Sequence, residues 1–136
     1  MGINLTDKID IKALLTQGKT AFDNEDFKEA LKLFTKASEL EPNNQDIQFY
    51  LAISNNSLGH LDEAVACMKK VTNPPQDIFE FWSNIAHAYK NNREYHKSIN
   101  AFKHALLCDP DDVNRDVIKS IIDNLVLKAN YPPSEN

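Results

Sequence analysis

Small side chains return every 34 residues along two tracks of this sequence, Gly18, Ala52 and Ala86 on the first and Ala30, Ala64 and Ser98 on the second. A fixed period of that length marks a chain built from one supersecondary unit stacked on copies of itself, because a single unit cannot bury its own apolar face. Larger residues keep step with the small ones. Phe34, Met68 and Phe102 share an offset, as do Ala37, Val71 and Ala105, and Pro42 and Pro110 stand two periods apart. The chain therefore divides without a gap into residues 11–44, 45–78 and 79–112.

Within the first repeat Leu14, Ala21, Leu31, Phe34 and Ala37 follow a spacing near the helical period on either side of the polar run Asp23-Asn24-Glu25-Asp26. That pattern predicts a helix, a turn and a helix, with the small residues letting the two antiparallel helices approach. Gly59-His60 and Asn91-Asn92-Arg93 break the other two repeats in the same way. Glu41-Pro42-Asn43-Asn44, Asn73-Pro74-Pro75 and Asp109-Pro110-Asp111-Asp112 close the three repeats in turn. Residues 113–130 add a seventh helix, with Val117, Ile118, Ile121, Ile122 and Leu125 on one side and Arg115, Asp116, Lys119, Asp123 and Lys128 largely opposite. An amphipathic terminal helix of this kind caps the apolar end of a stack. Gln17 stands at an offset that is usually aliphatic, as expected of a first repeat with no predecessor, so both ends read as finished and the array as complete. Residues 1–10 form an N-terminal segment and residues 131–136 a flexible tail in this reading.

So many offsets agreeing in register resemble the tetratricopeptide repeat family. The third repeat fits throughout, with Trp82, Ile85, Ala86, Tyr89, Ser98, Phe102, Ala105 and Pro110. The first supplies Leu14, Gly18, Ala30, Phe34, Ala37 and Pro42 but departs at Gln17 and Ala21. The middle repeat keeps Leu51, Ala52, Ala64, Met68 and Val71, yet carries Gln48 and Asn55 where large or aromatic residues are usual, and its Pro74-Pro75 comes early. The resemblance implies an all-α fold, a right-handed superhelical array of antiparallel helix pairs with seven helices, whose first helix in each repeat lines a concave groove.

Charge and composition narrow the function. A formal net charge of −5 opposes sequence-independent nucleic-acid binding, which draws its affinity from Lys and Arg displacing counterions. No single-sign block suggests an anionic membrane surface, and no stretch approaches the roughly 20 apolar residues of a membrane span. Cys67 and Cys108 are too few for a disulfide framework and favour a reducing, cytoplasmic setting. Met1-Gly2-Ile3-Asn4-Leu5-Thr6 fits the loose N-myristoylation template, which an initial Met-Gly also satisfies by chance. His104 and Cys108 form an i,i+4 pair, but His60, His87 and His96 lie in other elements without ligand spacing, so no metal or other cofactor is expected; Cys108 should pack and His104 be solvated. There is no phosphate loop, no nucleophile elbow and no bracketing carboxylate pair, and the chain does not read as an enzyme.

The resemblance places Lys12, Leu15, Thr16, Lys19, Phe22 and Asp23 of the first repeat in the groove. Asp46, Phe49, Tyr50, Ile53, Asn56 and Ser57 come from the second, and Glu80, Ser83, Asn84, His87, Lys90 and Asn91 from the third. Phe49, Tyr50 and Ile53, flanked by Leu15 and Phe22, would form an exposed apolar patch of the kind that marks interaction sites, unless a terminal segment covers it or part of it is core. Leu15, Lys19, Phe22, Phe49, Tyr50, Ile53, Asn84 and His87 are thus the expected partner-binding residues. Family members that grip the terminal carboxylate of heat-shock chaperones carry Lys and Asn, then Asn, then Lys and Arg at positions matched here by Leu15, Lys19, Tyr50, Glu80 and Asn84. None agrees, and Glu80 would repel a carboxylate. The expected function is an adaptor holding an apolar or mixed peptide of a protein partner, the chain itself being a monomer or weak homo-oligomer. The alternative is a self-associating assembly scaffold.

Overall fold

A computed structural model describes residues 5–130, with side chains from Asp10 onward. Residues 1–4, which begin the lipidation template, and the tail 131–136 lie outside the described residues. Those residues form seven helices and no strand: α1 (Leu5–Asp23), α2 (Phe27–Leu40), α3 (Gln45–Ser57), α4 (Leu61–Lys69), α5 (Phe79–Asn91), α6 (Tyr95–Leu107) and α7 (Asp112–Asn130). This is the all-α class expected. The helices fall into two compact units, α1 to α4 in the first and α5 to α7 in the second, divided between Pro75 and Gln76.

The turn inside each repeat is the same structure three times over. Glu25, Gly59 and Arg93 adopt left-handed backbone conformations with φ of 61°, 79° and 63°. The N–H of each following residue reaches back to close the preceding helix, Asp26 to the Ala21 carbonyl at 2.9 Å, His60 to Asn55 at 2.8 Å and Glu94 to Tyr89 at 2.9 Å. These are Schellman closures, which satisfy carbonyls that a helix end would otherwise leave open. Asp26 then serves the next helix, its carboxylate accepting from the Glu29 N–H.

In the first unit α1 and α2 meet across Gly18, and Phe34, Ala30, Ala37, Ile47, Leu51 and Ile11 form the buried cluster. Asn44 caps α3, accepting from the Ile47 N–H at 3.1 Å. Gln45 ties the far end of α4 to the start of α3: its amide nitrogen donates to the Lys70 carbonyl at 2.9 Å and its oxygen accepts from the Thr72 N–H at 2.8 Å. α4 stops at Lys69, well short of its counterparts. Val71, Thr72 and Asn73 are poor helix formers and Pro74 disfavours helical backbone at the residue before it, so the early prolines end the helix.

The two residues of the middle repeat that depart from the pattern are buried and make local hydrogen bonds. Gln48 donates to the Pro42 carbonyl at 2.9 Å; Asn55 donates to the Leu51 carbonyl at 3.0 Å, and its Oδ1 accepts from His60 Nδ1 at 3.1 Å. Asn55 thus uses both ends of its amide where the other repeats place Ala21 and Tyr89, whereas Gln48, at the offset of Leu14 and Trp82, leaves its buried Oε1 without a partner.

In the second unit Trp82, Ile85, Ala86 and Tyr89 of α5 pack on Ser98, Phe102 and Ala105 of α6, and the buried Ser98 hydroxyl donates to the Ala86 carbonyl at 2.7 Å. α7 covers α6 with Ile118 and Leu125, while Ile121 and Ile122 are half-buried. Val117 does not share that face as expected; it is 51% exposed. Positions 118, 121, 122 and 125 have the i, i+3, i+4, i+7 spacing of one face, and Val117 stands about 100° round from Ile118. Arg115 fastens the α6–α7 connection, donating to Asp112 at 2.7 Å, Asp109 at 3.0 Å and the Pro110 carbonyl at 2.9 Å.

Candidate partner-binding surface

On the first unit, α1 and α3 come together at Lys19 and Tyr50. The Lys19 ammonium lies over the Tyr50 ring, 5.1 Å from its centroid, and the other side of the relationship is a stack of Tyr50 on Phe34 at 5.0 Å and 17°. Leu15, Phe22 and Tyr50 are half-buried against the same core cluster, so each is partly core and partly surface. Phe22 also meets Phe27 edge-on at 5.2 Å. Asp46, Tyr50, Ile53 and Ser57 run along α3 as a partly open stripe at helical spacing, Asp46 and Ser57 exposed and the two apolar residues half-buried. The hydroxyls of Thr16 and Thr20 are returned to the α1 backbone, donating to the Lys12 and Thr16 carbonyls at 3.0 Å.

Phe49 corrects the expectation of an exposed aromatic trio. It is 2% exposed and meets Tyr50 edge-on at 5.4 Å from within. Adjacent residues on a helix diverge by about 100°, so Phe49 and Tyr50 cannot both face outward along one line. α3 buries Ile47, Gln48, Phe49, Leu51, Ala52, Ser54 and Asn55, which leaves Tyr50 and Ile53 as its apolar residues in reach, beside the polar Asp46, Asn56 and Ser57.

On the second unit Asn84 is exposed and Ser83, His87 and Lys90 are half-buried along α5. The His87 ring meets Phe102 edge-on at 5.0 Å. Its pKa is held below the ordinary imidazole value, first by burial and then by the positive charge of Lys90. His104 is not simply solvated: its ring stacks on Trp82 at 4.2 Å and 14°. Burial pushes both the Cys67 and the Cys108 thiols up, which keeps them protonated and poorly nucleophilic. Among the described residues no three His, Cys, Asp or Glu side chains gather as a metal-holding group, and no helix is long and apolar enough to cross a membrane.

Reasoning from sequence missed the Lys19–Tyr50–Phe34 stack, although both surface members carried the groove offset. The signal was there in the pairing of a cation with an aromatic on neighbouring first helices, but the periodic pattern does not say which side chains touch.

Two family models, both described as tetratricopeptide repeat, match residues 21–83 and 79–112 and together cover more than half of the chain. The chain belongs to the tetratricopeptide repeat family. A curated relative, tetratricopeptide repeat protein 37 of Xenopus laevis, is 24% identical over 131 residues, which is 92% of this chain but 8% of that protein. Among solved structures, the Arabidopsis OM64 TPR domain superposes with a TM-score of 0.62 at 17% identity, covering 88% of this chain and 96% of that one. The first TPR of Spaghetti (RPAP3), bound to the HSP90 peptide SRMEEVD, superposes with a TM-score of 0.59 at 13% identity, covering 89% and 94%. Tetratricopeptide repeat domains are in general non-catalytic, and membership makes this chain a protein–protein interaction module.

Proposed function

We propose that this tetratricopeptide repeat chain is an adaptor whose α1–α3 face receives a peptide segment of a protein partner. The observation that carries the reading is the Tyr50 ring, braced by buried Phe34 behind it and lying under the Lys19 ammonium, with half-buried Leu15, Phe22 and Ile53 on the same two helices. A rigid aromatic with an apolar surround and one adjacent cation is the composition of an interface anchor. Lys12, Lys19 and Asp46 would orient the segment. Asn84 and His87 on α5 are proposed as further contacts of the second unit, read on that unit alone. Repeats 11–44, 45–78 and 79–112 with a cap at 113–130 remain the proposed division of the chain.

The partner is proposed to be apolar or mixed in character. The neighbour bound to an HSP90 peptide supports peptide holding as a mode, but the clamp positions here are Leu15, Lys19, Tyr50, Glu80 and Asn84, which do not offer its charges. No catalytic role is proposed, and the setting is taken as cytoplasmic with both thiols reduced.

The test is affinity capture with Lys19→Glu and Ile53→Glu, two positions open enough to change without emptying the core. Each is expected to abolish capture of partners retained by the wild type while circular dichroism stays unchanged. Undiminished capture by both variants overturns the reading. Phe49→Ala is unsuitable because it would hollow the core.

A second reading, self-association as a scaffold, is favoured by one observation: Leu107, Val113 and Val117 at the α6–α7 corner are exposed apolar residues. Sedimentation at micromolar concentration decides it, since a strict monomer leaves it without support.

A further inference from the structure

The second unit, like the whole chain, holds more acidic than basic residues, yet Lys90, Arg93, Lys97 and Lys128 line two adjoining hollows of it. A hollow of about 220 Å³ opens between α5 and α7, lined by Lys90, Ser120, Ile121, Asn124, Leu125 and Lys128. Lys128 is shared with a neighbouring hollow that runs along the α5–α6 turn past Arg93, Glu94 and Lys97. Glu94 is the one carboxylate lining either hollow, and it is matched by Lys97 at 3.4 Å. Among the described residues no ion pair involves Lys90, Arg93 or Lys128. The positive potential of Lys90 is already felt inside the unit, where it helps to lower the pKa of His87.

Ser120, Asn124 and Lys128 succeed one another at i, i+4 and i+8 along the hollow. Asp123 stands about 100° round the helix from Asn124, and Asp116, one turn before Ser120 on the same row, does not line it. Between the lysines the floor is apolar, with Leu125 buried and Ile121 half-buried. A pair of uncompensated ammonium groups on either side of an aliphatic floor selects an anion that brings its own apolar group. Nucleic acid does not meet that description and is repelled by the chain as a whole. A bilayer surface would meet a protruding basic face, whereas here the charges rim a concavity the size of one or two side chains.

We propose that the α5–α7 hollow binds an acidic-aliphatic segment of a partner polypeptide, a leucine-sized side chain resting on Ile121 and Leu125 and flanking Glu or Asp carboxylates reaching Lys90 and Lys128. Ser120 and Asn124 supply hydrogen bonds to the segment's backbone. The proposal uses residues of the second unit alone and stands whether or not the α1–α3 face binds a peptide.

The experiment is fluorescence anisotropy of the full chain with a short labelled peptide containing Glu-Glu-Leu-Glu and an amidated C-terminus, so that only side-chain carboxylates are presented. Binding is expected at low salt, weakening as salt rises. Lys90→Gln with Lys128→Gln is expected to weaken it at least about tenfold, and Ile121→Ser to weaken it further, while Lys103→Gln, an exposed lysine on α6, leaves it unchanged. On the unsubstituted protein, amide shifts in NMR spectra should concentrate in α5 and α7, a readout that needs no variant to fold. The proposal is overturned if the peptide does not bind, if the double variant binds as well as the wild type, or if Lys103→Gln weakens binding equally. It is also overturned if phosphatidylserine vesicles retain the protein through the same lysines and the peptide does not compete.

Discussion

The Phe34 ring packs so closely on the backbone of Gly18 that a β-carbon there would lie 2.6 Å from Cε1 and 2.8 Å from Cζ. Phe34 cannot swing aside, being fully buried and stacked against Tyr50. Gly18→Ala therefore sets a packing cost of about 1–3 kcal/mol against a helix-propensity gain of up to about 1 kcal/mol. The expected outcome in chemical denaturation is a net loss of stability. Because Phe34 underlies Tyr50, the same substitution should also disturb the Lys19–Tyr50 contact, seen as a change in Tyr50 ring shifts. Equal or greater stability would show that the helices can separate without loss.

The three repeat turns predict opposite responses to glycine. Glu25 and Arg93 hold left-handed conformations that L side chains adopt at a cost, and both are exposed with little packing to lose. Glu25→Gly and Arg93→Gly are each expected to stabilise by about 0.5–1 kcal/mol, the relief of strain outweighing the added freedom of the unfolded chain. Gly59→Ala, where a β-carbon meets no neighbour but φ is 79°, should destabilise by about 1 kcal/mol through backbone strain alone. Thermal melts of the three variants separate the signs.

The same turns show how much of the fold could be read from sequence. Gly18, Ala52 and Ala86, with Ala30, Ala64 and Ser98, located every helix pair, because close approach of backbones admits only small side chains and so leaves a periodic mark. The orientation of α3 was not legible in the same way. Its neighbours bury it on most sides, so a run such as Phe49-Tyr50 carries no polar contrast to say which ring faces out. α4 ended early for a local reason, Pro74-Pro75, that the sequence did display. The Trp82–His104 stack and the hollow between Lys90 and Lys128 join residues from different helices at spacings set by packing, and neither belongs to any repeat period.

Two buried serines should respond to alanine with different signs. The Ser98 hydroxyl donates to the Ala86 carbonyl, and Ser98→Ala removes that bond while leaving the carbonyl within its helix, at an expected cost of about 1 kcal/mol. Ser54 is equally buried, yet its Oγ has no hydrogen-bond partner. Ser54→Ala therefore discards an unsatisfied polar group and should leave stability unchanged or raise it by up to about 1–2 kcal/mol. Urea denaturation of the pair tests the contrast, and equal losses would contradict it.

His87 makes stability depend on pH in a predictable direction. Burial and Lys90 both lower its pKa in the folded chain, so the unfolded chain takes up a proton first as pH falls. Above the unfolded pKa, near 6.5, the imidazole is neutral in both states and contributes no difference. Below it the unfolded state is favoured progressively, until the folded pKa is also passed. The stability of the wild type should thus fall more steeply on acidification through this window than that of His87→Gln. Lys90→Gln removes the smaller of the two causes and should raise the His87 pKa, observed directly in the imidazole proton shifts, while leaving the larger contribution of burial in place. A His87 titration unchanged by Lys90→Gln would mean that solvent screens the lysine completely and that burial alone sets the shift.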